Sequence, residues 1–164
     1  MKTVPLNDLK KEMKLLDAQE LFELCLRMAR FKKENKELLT YLLFESSHEP
    51  GFVQSIREEV DLQFAEMNKS AGMYIVKKGL RKILKYVDRF LKYTDVKASE
   101  IELRMHYCAQ IKESGIRVTH SKTLENLVAG QLKKIRKAIA GLDEDSQFDY
   151  TRELESLLED WRIE

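Results

Sequence analysis

Between residues 73 and 94 the chain sorts its side chains more cleanly than anywhere else. Val76, Leu80, Ile83, Val87 and Phe90 recur at four-three spacing, with Leu84 and Leu91 beside them. Lys77, Lys78, Arg81, Lys82, Lys85, Arg89 and Lys92 fall on the other side. At 100° per residue this pattern predicts an amphipathic helix from Met73 to Thr94 with an apolar inner stripe and a cationic outer face.

The same period predicts helices along the rest of the chain. Asn7 or Asp8 can open a short first helix, and Asp17 with Glu20 has the spacing of a capping box for a second that reaches Phe31. Asn35 can cap a third, whose Leu38, Leu39, Tyr41, Leu42, Leu43 and Phe44 surround the axis and so call for burial on every side. His48-Glu49-Pro50-Gly51 reads as a break, with a fourth helix from Phe52 to Asn68 carrying Phe52, Ile56, Val60 and Met67 inward. After the cationic helix, a sixth runs from Lys97 to Ser114 with Ile101, Met105 and Cys108 as its stripe, closed by Gly115 in a left-handed cap. Residues 117–121 read as a loop. The seventh helix turns Leu124, Leu127, Val128, Leu132, Ile135 and Ile139 inward. Ser146 with Asp149 can cap an eighth, with Tyr150, Leu154, Leu157, Leu158 and Trp161 as its stripe.

Short connections between successive helices favour antiparallel neighbours. The expected fold is therefore all-α: seven or eight antiparallel helices as stacked hairpins or an irregular bundle, in a single domain over residues 1–164. Composition agrees, since six glycines and two prolines leave little punctuation for many short strands, and a 43% apolar share is enough for a core. No repeat of helical-solenoid period is present.

No stretch approaches the roughly 18 apolar residues of a membrane span, and no charged segment followed by an apolar signal core opens the chain, so a cytoplasmic protein without membrane contact is expected. Cys25 and Cys108 are too few for a disulfide framework, and both lie in apolar stripes where small buried side chains are expected.

A net charge of +1 conceals a polarised chain. Residues 69–141 carry 17 basic and 6 acidic side chains, whereas residues 142–164 carry 2 and 9. Lys133, Lys134, Arg136 and Lys137 add a second basic group to that of residues 77–92, with Tyr86 and Tyr93 flanking the first. Two such helices side by side would make a phosphate-binding patch, although no helix-turn-helix or zinc module frames it for base reading. The carboxylates of Asp143, Glu144, Asp145, Asp149, Glu153, Glu155, Glu159 and Asp160 are expected to shield it.

Leu9-Lys10-Lys11, Leu15-Leu16 and Glu20-Leu21, with Lys36-Glu37 further on, resemble the opening of an uncharacterised family of small all-helical bacterial proteins, over the first quarter of the chain. The resemblance implies a helical fold and brings no reaction or catalytic residues with it.

Chemistry-bearing motifs are sparse. Glu45-Ser46-Ser47-His48 has the Glu-x-x-His spacing of di-iron bundles, which use two such motifs and two further Glu residues; one copy is present. Glu102, His106 and Gln110 read as an exposed helix row, and His120 as a loop histidine. Walker-type, dinucleotide, nucleophile-elbow and zincin motifs are absent from the sequence.

The reading that follows is a non-catalytic helical interaction module, with no cofactor and no metal, that binds a protein through a helix groove or a charged face. The alternative is nonspecific nucleic-acid binding through the basic face of residues 77–92. A second alternative is a helical metalloenzyme built on Glu45 and His48. Oligomeric state stays open, because the Tyr150-to-Trp161 stripe can pack within one chain or against a second.

Overall fold

The computed structural model describes residues 2–159 and Trp161. Among these the chain is all-α, with eight α-helices in the expected order and no strand. The described residues fall into two compact units, residues 1–45 and 46–164.

The first unit holds α1 (Leu6–Met13), α2 (Ala18–Phe31) and α3 (Lys33–Thr40), followed by one π-helical turn, Tyr41–Glu45. The capping box forms as the sequence predicts: the Asp17 carboxylate accepts from the Glu20 backbone N–H at 2.8 Å, and Glu20 accepts from the Asp17 N–H at 2.9 Å. Asn35 does something else. A single extended residue, Lys32, separates α2 from α3, so Asn35 lies inside α3, and its amide donates to the Met28 carbonyl at 2.8 Å. That bond meets an orphan acceptor in the last turn of α2 and ties the two helices together. The expectation that the following apolar residues are enclosed fails as well. Tyr41 is buried, but Leu42, Leu43 and Phe44 stand 52%, 70% and 72% exposed.

The second unit holds α4 (Glu49–Glu66), α5 (Met73–Phe90), α6 (Lys97–Glu113), a 3-10 turn at Val118–His120, α7 (Lys122–Ile139) and α8 (Glu144–Leu158). Pro50 and Gly51 belong to the first turn of α4, because proline's missing N–H is no loss where the helix has no acceptor to offer it. The break lies just before them, at residues 46–48. Gly115, with φ +69°, follows α6 in the left-handed conformation its position predicts. The start of α8 is earlier than expected. Its N-cap is Asp143, whose carboxylate accepts from the Ser146 N–H at 3.0 Å and the Ser146 hydroxyl at 2.8 Å. Those bonds, the backbone one first, hold the Asp143 carboxyl below its usual range. The cap therefore contributes at neutral pH and is lost only as acid carries the pH down through that lowered value.

The core is organised around α6. Its stripe of Ile101, Met105 and Cys108 is buried as expected, and so is a second row, Leu103, Tyr107 and Ile111, which recurs every four residues. With Ser99 and Arg104 these residues cover about 240° of the helix, far more than an ordinary surface helix hides. Four neighbours supply the cover: α4, α5, α7 and α8 all pack on α6. Phe52, Ile56, Val60 and Phe64 come from α4, Leu80, Ile83 and Val87 from α5, and Leu124, Val128 and Ile135 from α7. The Phe64 and Tyr107 rings meet at 5.9 Å between centroids.

The two cysteines part company here. Cys108 is fully buried, and burial pushes its thiol up to about 12, against a smaller opposing pull from Arg104. Cys25 is exposed on α2, because nothing among the described residues encloses that face. Maleimide labelling of the native protein should therefore modify one thiol, Cys25, within minutes, and both thiols in urea. Rapid labelling of Cys108 in the native state would contradict this packing.

Candidate functional site

The cationic face begins with where α5 turns its apolar side. Val76, Leu80, Ile83 and Val87 are at most 5% exposed, so helical geometry carries Lys78, Arg81, Lys82 and Lys85 outward, and all four are exposed, as is Lys92 in the turn where α5 ends, at Phe90 and not at Thr94. Lys77 and Arg89 sit at the edges of the arc and are half-buried. The Arg89 guanidinium lies over the rings of Phe90 and Tyr86, 4.9 and 5.4 Å from their centroids. Phe90 in turn meets Tyr93 edge-on at 5.5 Å and Phe52 of α4 at 6.3 Å. Arg89 is thus part of an aromatic cluster that fixes the end of α5 and is not presented to solvent like its neighbours.

The second basic group joins the first. Lys133, Lys134, Arg136 and Lys137 are all exposed on α7, and the Lys134 ammonium lies 3.8 Å from Asp88 of α5. Helical spacing puts Asp88 among the cations, one turn from Lys85 and Lys92. Sequence alone could not pair these helices.

What holds them in register is a buried guanidinium that sequence analysis did not single out. Arg104 of α6 is 5% exposed. Its Nη1 donates to Asp88 of α5 at 2.9 Å and to Gln131 of α7 at 2.6 Å, and its Nε donates to Glu100 at 2.8 Å. One planar side chain therefore links three helices beneath the cationic surface, which suits arginine's fixed fork of donors. Asp88 is held by Arg104 from below and approached by Lys134 from the side, so the one carboxylate in the face is already compensated.

The row expected to lie exposed on α6 is instead distributed among neighbours. Glu102 pairs with Arg57 of α4 at 3.2 Å and accepts from the Tyr150 hydroxyl of α8 at 3.1 Å. His106 Nε2 lies 2.6 Å from Asp61 of α4. Partial burial first, and the Glu102 carboxylate second, push the Tyr150 phenol up to about 12. Spacing on one helix placed Glu102 and His106 together; the helices packed against that side took them apart. His48 and His120 are exposed at the start of α4 and in the 3-10 turn. Among the described residues no three His, Cys, Asp or Glu side chains converge as metal ligands.

Direct ion pairs between the acidic segment and the basic face are not seen among the described residues. Asp160 lies outside the described residues. The helix α8 is secured elsewhere: the Lys112 ammonium of α6 donates to the carbonyls of Leu157 and Glu159 at 2.9 and 2.6 Å, meeting orphan acceptors at the end of α8.

A second surface was not anticipated. Of the seventeen large apolar side chains exposed among the described residues, eleven belong to residues 1–45, barely a quarter of the chain. Leu6, Leu9 and Met13 line one side of α1, Phe22, Met28 and Phe31 mark α2, and Leu42 to Phe44 follow α3. None of these three helices has a fully buried residue. The sequence signal was present in the apolar stripes themselves, but a stripe does not say what covers it.

No protein-family model, no curated protein and no solved structure matches the chain.

The Arg104 network gives a direct test of how the cationic face is supported. Arg104→Leu should lower unfolding free energy by about 2–4 kcal/mol, since it strands the buried Gln131 and leaves Asp88 without its inner partner. Adding Gln131→Leu should recover part of that loss in urea titration. Equal stability of wild type and the Arg104→Leu variant would contradict the network's role.

Proposed function

We propose that this protein is a non-catalytic interaction module that takes up a protein partner on the apolar surfaces of residues 1–45. The observation that carries the reading is the crowding there of exposed large apolar side chains, with Leu6 at 81%, Phe31 at 78% and Phe44 at 72%. A single exposed leucine needs no explanation, but a dense set on short helices marks a contact surface. The helices themselves argue the same way. α1 and α3 have eight residues each, too short to persist in water on propensity alone, and their stability has to come from packing of the apolar side. A unit of about 45 residues without a core of its own falls in the size range where folding usually depends on an added staple or partner.

Side-chain pairs on this surface include helix caps and same-helix contacts: Asp17 with Glu20, Gln19 with Glu23, Lys33 with Glu37. An amphipathic surface of this kind fits the helix-in-groove mode of recognition, in which apolar side chains at three-four spacing act as anchors.

Phe31→Ser and Leu43→Ser together should leave the unfolding free energy of the isolated chain within about 0.5 kcal/mol of wild type, the range of ordinary surface substitutions. The same pair should abolish retention of a stoichiometric protein partner by the tagged full-length chain from nuclease-treated native lysate. If these side chains were covered by the chain's own fold, the substitutions would each cost about 1.5–3 kcal/mol. That destabilisation, or an unchanged set of retained proteins, would overturn the proposal.

A further inference from the structure

We propose that α5 and α7 form one continuous face that binds a single-stranded nucleic acid along its phosphate backbone. This is a second binding function, on a surface separate from the one above.

Charge is the first requirement. Lys78, Arg81, Lys82 and Lys85 on α5 and Lys92 just past its end are exposed, as are Lys133, Arg136 and Lys137 on α7. Among the described residues none of the eight has a carboxylate within ion-pair distance. Surface lysines are common on helices, but they usually come interleaved with glutamates at three-four spacing. Here the only acid inside the α5 arc is Asp88, already held by Arg104 at 2.9 Å. The face therefore keeps its positive potential and can displace the counterions condensed on a polyanion.

Geometry is the second. Lys78, Arg81 and Lys85 fall in one narrow arc of α5, and at 1.5 Å per residue they extend over about 10 Å, with Lys92 in the turn beyond the helix end. The Lys134 to Asp88 contact at 3.8 Å brings the Lys134 edge of α7 to that row, with Lys137 about 60° and Lys133 about 100° further round the helix. A flexible polyanion can follow such a row; a rigid pocket ligand has nothing to enter.

The remaining features choose among polyanions. The apolar side of α5 cannot enter a bilayer, because Val76, Leu80, Ile83 and Val87 are committed to the core, so an anionic lipid surface would be met by charge alone. An acidic protein would want apolar or aromatic anchors at the centre of the patch, and the centre is lysine and arginine around the compensated Asp88. At its end, however, Tyr74 is 76% exposed and lies in line with Lys78, Arg81 and Lys85, one turn before the first of them. An exposed aromatic ring in register with a cationic row is the arrangement on which an unpaired base stacks while its phosphates are held.

The test uses the full-length chain and a fluorescently labelled 20-nucleotide single strand of mixed sequence, followed by anisotropy across a sodium chloride series. Binding should weaken about 100-fold between 50 and 200 mM salt, as expected for about five phosphate contacts. Lys78→Gln/Arg81→Gln/Lys85→Gln should lower affinity at least tenfold and reduce the log–log salt slope by about 2. Lys133→Gln/Lys137→Gln should reduce the slope by about 1.4, because α7 belongs to the same face. Tyr74→Ala should weaken the single strand several-fold and leave duplex binding unchanged. All are exposed positions, and matching far-ultraviolet spectra will show that the variants keep the fold. Lys10→Gln/Lys11→Gln on α1 serves as the control and should change nothing. No binding at 50 mM salt, equal losses in the control, or an unchanged slope in the α7 variant would overturn the proposal. So would tighter binding to poly-glutamate or to vesicles containing phosphatidylserine than to the oligonucleotide.

Discussion

The burial of α6 on about two thirds of its circumference is the constraint from which the second unit follows. A helix hidden that deeply cannot leave its polar side chains to solvent, and each one present has to find a partner in a neighbouring element. Arg104 finds Asp88 and Gln131, Tyr107 donates to the Leu80 carbonyl at 3.0 Å, and Ser99 donates to Glu49. Glu102 and His106, in the remaining arc, reach Arg57 and Asp61 of α4. Apolar contact supplies most of the free energy, because it scales with buried area and the net gain from each hydrogen bond is about 1 kcal/mol. Direction comes from the polar bonds. Apolar surfaces tolerate rotation and slippage, whereas a guanidinium with three acceptors sets where α5 and α7 can stand relative to α6.

The outer surfaces are consequences of that arrangement. Once the apolar sides of α5 and α7 are committed to α6, their lysines have no direction left but outward, and Arg104 brings the two sets to adjoining positions through Asp88. The same logic runs in reverse in residues 1–45. There the apolar stripes are as regular, but no helix comparable to α6 gathers them, and side chains such as Phe31 and Phe44 remain in solvent. One unit thus exposes charge because its apolar positions are satisfied. The other exposes apolar surface because its own are not.

Sequence periodicity carried most of the secondary structure: the stripes of α5 and α7, the Asp17–Glu20 box and the Gly115 cap all stand where spacing put them. The errors have a shared cause. Asn35, Pro50 and Ser146 are all residue types that mark a helix start, and each lies within two or three positions of the true one, where the choice among neighbouring candidates depends on tertiary bonds such as Asn35 to Met28. The second buried row of α6 was legible, since Leu103, Tyr107 and Ile111 repeat every four residues, but reading one stripe as the whole inner side concealed it. The cationic residues of α5 were fully legible. Their continuity with α7 was not, because it runs through Arg104 and Gln131, polar residues that look like surface positions until three helices close over them. In residues 1–45 the stripes could be read but their exposure could not, because amphipathicity reports that a side needs cover and is silent about what provides it.

The claim that a polar-bonded α6 organises this fold is tested most directly by native-state hydrogen exchange resolved to single amides. The account predicts that amides from Leu103 to Ile111 exchange only through global unfolding, at least as slowly as any in α5 or α7, while those of α1 exchange orders of magnitude faster. Exchange of the α6 amides ahead of those in α5 and α7 would show that the surrounding helices hold together without it, and the account would be wrong.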